Sequence, residues 1–177
     1  ILFNGSPRRR GNTVTALNAL RQGMQDCHQI TWVNAYDQNI MACTHCEACK
    51  HNGGRCIQPD DSAAWIDLVN GADMIIFGSP VYWWGISAKA KLALDKFYAN
   101  DEEYKASPAK KRLGIIAVGE EPLDNPGYRM ISEQFHCIAK FLGWTLVIDQ
   151  SISAAYPGDL AADVAMLEKL SAIGRKL

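Results

Sequence analysis

Five short apolar runs alternate with five helical patterns from one end of the chain to the other, and this alternation restricts the fold more than any other feature. The strand-like runs are Ile1–Asn4, Gln29–Asn34, Asp73–Gly78, Leu113–Gly119 and Trp144–Asp149. The helix-like segments are Thr13–Gln25, Asp61–Asn70, Ser87–Tyr98, Gly127–Leu142 and Asp159–Lys176. Met74–Phe77 and Leu113–Val118 are continuous rather than alternating apolar runs, as in strands covered on both faces. In the fourth helical segment, Met130, Ile131, Phe135, Ile138, Ala139 and Leu142 are spaced to form one apolar stripe. Strict β-α alternation predicts an α/β domain over 1–177 with a parallel, doubly wound sheet. Ligands of such sheets sit at the carboxyl ends of the strands, near the switch in strand order. The stretches that read as irregular are Ala35–Pro59, Asn100–Lys111, Glu120–Pro126 and Ser151–Pro157.

Composition narrows the partners. The 177 residues are 48% apolar and 21% charged, an ordinary balance for one globular domain. A net charge of −1 provides no long-range field to gather nucleic acid or an anionic membrane. Any phosphate must therefore be caught by local geometry. No apolar run approaches the ~20 residues that span a bilayer. Residues 1–6 have no basic segment and too short an apolar one for a signal peptide. The chain begins inside a strand-like run, so an initiator methionine and a residue or two are expected before Ile1. A cytoplasmic setting is the expectation, with the six cysteines reduced, metal-bound or redox-active rather than paired in a disulfide framework.

The loop after the first strand reads Gly5-Ser6-Pro7-Arg8-Arg9-Arg10-Gly11-Asn12-Thr13. A helix starting at Asn12 or Thr13 offers unpaired N–H groups and partial positive charge to a phosphate. Ser6 and Thr13 add hydroxyls, Asn12 an amide, and Arg8 or Arg10 a charge. The loop lacks the Lys-Ser/Thr ending of a Walker A motif and the Gly-x-Gly-x-x-Gly of a Rossmann site. The plainer reading is a capped helix behind a solvated basic loop.

The loop after the third strand, Gly78-Ser79-Pro80-Val81-Tyr82-Trp83-Trp84-Gly85-Ile86-Ser87-Ala88, carries three adjacent aromatics. Exposing them at a strand end is costly without a planar ligand to stack on. Alternatively, one Trp roofs the core or fills a subunit interface. Ser87 is placed to cap the next helix, whose inner face is Ala90, Leu94, Phe97 and Tyr98; Lys91 and Asp95 are spaced for an i,i+4 ion pair.

The most unusual stretch runs from Cys43 to Cys56, with cysteines at 43, 46, 49 and 56: C-x2-C-x2-C-x6-C. Three closely spaced thiolates can surround one corner of a compact cluster, and a fourth can close the cage after the Gly53-Gly54 bend. Zinc sites more often use two C-x2-C pairs. Zinc, helped by His45 or His51, and free thiols remain open beside a 4Fe-4S cluster. Asp60-Asp61-Ser62 has the form of an N-cap for the following helix. Cys27 and Cys137 stand apart, Cys137 reading as a buried or semi-buried helical thiol, and His28 and His136 as surface residues.

Together, Gly-Ser-Pro-Arg-x-x-Gly-Asn-Thr after the first strand and Ser-Pro-Val-Tyr-Trp-Trp-Gly-Ile-Ser-Ala…Lys…Asp after the third resemble the NAD(P)H-dependent FMN reductase and iron–sulfur flavoprotein group. The resemblance spans nearly the whole chain. It implies a flavodoxin-like three-layer fold with five parallel strands in the order 2-1-3-4-5. Ser6, Arg8, Asn12 and Thr13 would hold the FMN phosphate. Pro80, Val81, Tyr82, Trp83, Trp84 and Gly85 would wrap the isoalloxazine, and Gly119, followed by Glu120 and Glu121, would approach its other edge. Family members usually carry small or Gly-rich residues where this chain has the two glutamates. The cysteine loop resembles the compact motif of iron–sulfur flavoproteins, with Cys43, Cys46, Cys49 and Cys56 as ligands. A homodimer or homotetramer is implied as well.

Three functions follow as expectations. The first is an FMN-dependent oxidoreductase passing electrons from NAD(P)H to a flavin, quinone or similar small acceptor. The second is an iron–sulfur carrier fed by a redox protein such as ferredoxin. The third is a non-enzymatic phosphate- or nucleotide-binding regulator on the same fold, against which the aromatic loop argues. No catalytic dyad is expected, because the chemistry would be the cofactor's.

Overall fold

The computed structural model describes residues 1–107 and 109–177. In chain order the elements are β1 (Leu2–Asn4), α1 (Asn12–Met24), β2 (Trp32–Asn34), α2 (Ser62–Gly71), β3 (Met74–Tyr82), β4 (Gly85–Ile86), α3 (Ala88–Asp95), α4 (Asp101–Ala106), β5 (Arg112–Gly119), α5 (Pro126–Leu142), β6 (Thr145–Ser153), α6 (Asp159–Ala162) and α7 (Val164–Gly174). Five strands form a parallel sheet in the order β2-β1-β3-β5-β6, the predicted 2-1-3-4-5 topology. The sixth strand, β4, was not anticipated: it folds back antiparallel on the end of β3, pairing Val81 with Ile86 and Tyr82 with Gly85.

The sheet separates two cores because successive side chains of a strand point to opposite faces. Phe3, Ile75, Phe77, Leu113, Ile115 and Ala117 face one layer, where they meet Trp65 of α2, Ala90 and Leu94 of α3, and Ile131 and Phe135 of α5. Leu2, Met74, Ile76, Ile116 and Val118 face the other, against Leu17 and Leu20 of α1 and Leu170 of α7. The continuous runs are thus buried on both sides, as expected.

The helix ends are set by local chemistry. Ser87 Oγ accepts the Ala90 N–H at 3.3 Å, capping α3, and Lys91 and Asp95 form the expected ion pair at 2.5 Å. At α2, Asp61 occupies the cap position without a side-chain cap bond; Asp60 Oδ1 takes the Ser62 N–H instead, at 2.9 Å.

Several boundaries depart from the sequence reading. Helix α3 ends at Asp95 and tightens into a 3-10 turn over Lys96–Asn100. The stretch read as irregular from Asn100 contains α4, whose Asp101, Glu102 and Glu103 complement the positive end of the helix dipole; residue 108 of that stretch lies outside the described residues. Strand β6 continues through Ser153, because β5 offers partners as far as Gly119. The final helical pattern is broken at Asp163, whose side chain caps α7 by accepting the Met166 N–H at 3.0 Å. On α5, Met130 is 51% exposed and lies outside the stripe. Cys137 is exposed rather than buried, since its neighbours Phe135 and Ile138 take the inward positions.

Candidate functional site

The carboxyl ends of β1, β3 and β5 open into two adjoining cavities. The loop after β1 is shaped from beneath by Asn4, which is fully buried. Its Oδ1 accepts the Ser6 N–H at 3.0 Å, and its Nδ2 donates to Asn34 Oδ1 at 3.0 Å. The Gly5 N–H donates to Gly78 O at 2.7 Å, and Ser87 Oγ donates to Gly5 O at 2.7 Å. The loop is therefore tied to both β3 and the start of α3. Ser6 Oγ accepts the Arg8 N–H at 3.2 Å, and α1 begins at Asn12 with its first N–H groups lacking intrahelical partners.

Around this helix end lies a cavity of about 180 Å³, lined by Ser6, Arg8, Gly11, Asn12, Thr13, Pro80, Val81, Tyr82, Val118, Gly119, Glu120, Ala154 and Ala155. Asn12 contributes its backbone here, because its carboxamide is committed elsewhere. Nδ2 donates to Ala154 O at 3.3 Å and Tyr156 O at 2.8 Å, while Oδ1 accepts from the Gly158 and Leu160 N–H groups. Arg9 points away, paired with Asp37, and its hydrogen bonds hold the Asp37 carboxyl below the usual carboxylate range.

The second cavity, about 500 Å³, is lined by Val81, Tyr82, Trp83, Trp84, Gly119, Glu120, Glu121, Asn125 and Tyr128. It shares Val81, Tyr82, Gly119 and Glu120 with the first. Trp83 and Trp84 are the two central residues of the β3–β4 turn, and both have positive φ, 49° and 60°. That is the two-residue primed turn of a tight hairpin, which ordinarily selects Asn and Gly. Left-handed backbone at non-glycine residues concentrates at ligand clamps and active sites. Trp83 is 89% exposed and Trp84 48%, their ring centroids 5.8 Å apart. Gly85 lines neither cavity and instead closes the hairpin opposite Tyr82.

On the opposite wall, Tyr128 donates its hydroxyl to Glu121 O at 2.8 Å, pinning the loop after β5, and burial pushes its phenol pKa up. Gly119 is required by this contact: a Cβ there would lie 2.7 Å from the Tyr128 hydroxyl. Among the lining residues the sequence assigned no cofactor role to Gly11, Val118, Asn125, Tyr128, Ala154 and Ala155. Ala154 and Ala155 were discoverable from their place just past a strand end. Tyr128 was not, because an aromatic in the first turn of an amphipathic helix reads as core.

The cysteine loop is a separate structure. The Asp60 and Asp61 carboxylates accept the Met41 and Asn39 N–H groups, each at 2.7 Å, clamping the loop entrance to α2. Lys50 is its main anchor: Nζ donates to Tyr98 O at 2.6 Å, pairs with Asp101 and lies 4.1 Å from the Tyr98 ring centroid. Burial alone would lower the Lys50 pKa; the hydrogen bond and charge of Asp101 hold it above its ordinary value. His45, Glu47, Gly53 and Gly54 are all left-handed. Gly54 has no alternative, since a Cβ there would overlap Asn100 Oδ1 at 1.5 Å. Cys43 and Cys46 are exposed and Cys49 and Cys56 half-buried; burial pushes the Cys49 thiol up. Among the described residues, no three cysteine, histidine or carboxylate groups converge on a common point as they stand.

Comparison with known proteins agrees with this arrangement. The chain is 30% identical to an iron–sulfur flavoprotein of Methanocaldococcus jannaschii over 99% of its own length and 93% of that protein's. Its fold matches an azoreductase of Bacillus anthracis with a TM-score of 0.75 at 13% identity, over 99% of this chain and 98% of that one. It also matches an NAD(P)H:quinone oxidoreductase of Methanothermobacter marburgensis with a TM-score of 0.71 at 17% identity, over 99% and 94%. Residues 1–153 match the NADPH-dependent FMN reductase family, and the chain, with its helix-end pocket opening onto an aromatic cleft, belongs to that family.

Proposed function

We propose that this chain is an FMN-dependent oxidoreductase that takes electrons from NAD(P)H and passes them to a small acceptor such as a flavin or quinone. The observation that carries the reading is the continuity of the two cavities through Val81, Tyr82, Gly119 and Glu120. One cavity suits a phosphate and the other a planar ring. The N–H groups at the start of α1, the Ser6 and Thr13 hydroxyls and the Arg8 guanidinium would hold the phosphate. Pro80, Val81, Tyr82, Trp83 and Trp84 would flank the ring, with Gly119 admitting its far edge and Gly85 keeping the hairpin closed. Bound FMN supplies reversible hydride and electron transfer at its isoalloxazine ring. The protein's part is to bind, orient and partly desolvate; no side chain is assigned as acid or base. Among the described residues no helix is long and apolar enough to cross a membrane. The homodimer or homotetramer rests on the family resemblance alone.

A second reading, an iron–sulfur carrier serving a redox protein, is favoured by four thiols on one braced loop and by the name of the full-length archaeal relative. Cys43, Cys46, Cys49 and Cys56 would hold the 4Fe-4S cluster after closing inward from their present positions. Protein purified without oxygen should show flavin absorbance that NADH or NADPH bleaches directly. Colourless protein that takes up no added FMN would overturn the first reading. Iron at about four per chain would establish the second, and flavin with neither iron nor zinc would leave the loop structural.

A further inference from the structure

The cleft beside the proposed ring site is charged in one sense only. Its lining combines the aromatics Tyr82, Trp83, Trp84 and Tyr128 with the carboxylates of Glu120 and Glu121, and no lysine or arginine lines it among the described residues. Both glutamates are exposed, and among the described residues neither carboxylate takes part in an ion pair or hydrogen bond. Arg8 lines the smaller pocket, where a cofactor phosphate would meet its charge. Trp83 leaves nearly its whole indole uncovered. An aromatic face attracts cations through its quadrupole. Carboxylates set against low-dielectric walls focus field lines and raise the local concentration of positive ligands.

We propose that Glu120, Glu121 and the Trp83–Trp84 pair select the electron acceptor by charge. Planar quinonoid or heteroaromatic acceptors bearing a positive charge are preferred, neutral ones are accepted, and sulfonated or carboxylated ones are turned away. The inference rests on the flavin-site reading above. For a quinone the balance is NAD(P)H plus one proton plus quinone giving NAD(P)⁺ and hydroquinone. The nicotinamide C–H bond breaks, its two electrons reduce the two carbonyls to hydroxyls, and water supplies the remaining proton.

The test uses FMN-loaded protein with NAD(P)H saturating and three acceptors. They are 2-methyl-1,4-naphthoquinone, 1,4-naphthoquinone-2-sulfonate and a naphthoquinone carrying a trimethylammonium-methyl group. The quantity read is the ratio of kcat/KM for the cation to that for the anion. Intrinsic differences in quinone reactivity cancel when this ratio is compared between proteins. In the E120Q/E121Q variant it should fall about tenfold or more, within the range of electrostatic steering. Added salt should lower the wild-type ratio toward the variant's. Trp83→Leu should lower it too, through KM for the cation. A ratio unchanged by E120Q/E121Q, in protein that binds FMN and oxidises NAD(P)H, overturns charge selection and leaves the oxidoreductase reading standing. Failure of the wild-type chain to bind FMN overturns both.

Discussion

Trp83 is held at a cost that the rest of the hairpin does not offset, so removing it should strengthen the fold and weaken the site. Its φ of 49° is left-handed, which costs a non-glycine residue about 1–2 kcal/mol. Burial returns little, because the residue is 89% exposed. Of the roughly 250 Å² that a Trp can bury, about a tenth leaves water here, worth about 0.6 kcal/mol at about 25 cal/mol per Å². Trp83→Asn keeps the turn, since Asn adopts this conformation readily. The apoprotein should gain about 1 kcal/mol, raising Tm by about 2–4 °C for a chain of this size. The same change removes an aromatic face worth about 0.5–1.5 kcal/mol in stacking, so FMN affinity should drop roughly two- to tenfold. Thermal unfolding of the apoprotein and a flavin-fluorescence titration read the two effects separately. A lower apoprotein Tm would refute the strain argument, and unchanged FMN affinity would refute the stacking role.

Two further outcomes test the pocket and the core. Arg8→Ala should weaken FMN roughly tenfold or more, the loss typical of a hydrogen bond to a charged group, while riboflavin, which has no phosphate, should bind as before; equal losses would remove Arg8 from the phosphate site. Burial pushes the Tyr104 phenol up from its ordinary value near 10 to about 12. The folded state therefore keeps this proton where the unfolded state has lost it. The contribution is whole below pH 10 and disappears as pH rises toward 12, at most about 2–3 kcal/mol. Tyr104→Phe should start about 1 kcal/mol lower for its lost hydrogen bond to Asn70 but show a flatter alkaline decline in urea unfolding. Parallel declines would refute the assignment.

The sheet was legible because its central strands are buried on both faces, which leaves continuous apolar runs that nothing else in the chain imitates. The ends of those strands were not. Strand β3 runs past Gly78 to Tyr82 although Pro80 lies within it, because β1 stops opposite Gly78. Beyond that point β3 has a parallel neighbour on one side only, where a residue lacking its N–H costs least. Strand β6 is an edge strand in which Asp149 is exposed and Gln150 and Ser151 are half-buried, and polar residues there imitate a loop. The turn at Trp83-Trp84 was hidden for the opposite reason: its residues contradict the Asn-Gly preference by which such turns are recognised. Local preference gives way where a site needs a particular side chain more than a relaxed backbone.

Asn12 shows how such a site is assembled from parts far apart in sequence. A carboxamide offers two donors and two acceptor positions, and here all are used on Ala154, Tyr156, Gly158 and Leu160. The residue that opens α1 therefore also fixes the chain leaving β6, and Ala154 and Ala155 become a wall of the pocket at the helix end. On the proposed reading, phosphate capture would fall to groups that remain available: helix N–H donors, the Ser6 and Thr13 hydroxyls, and Arg8. One side of the pocket is thus tied by the Asn12 hydrogen bonds, and Arg8 stands exposed at its rim. The cleft is likewise pinned on one side, at Tyr128 and Gly119, and open at the exposed indole of Trp83. A fixed anchor beside an accessible aromatic mouth suits a protein that keeps its cofactor while exchanging one small partner for another.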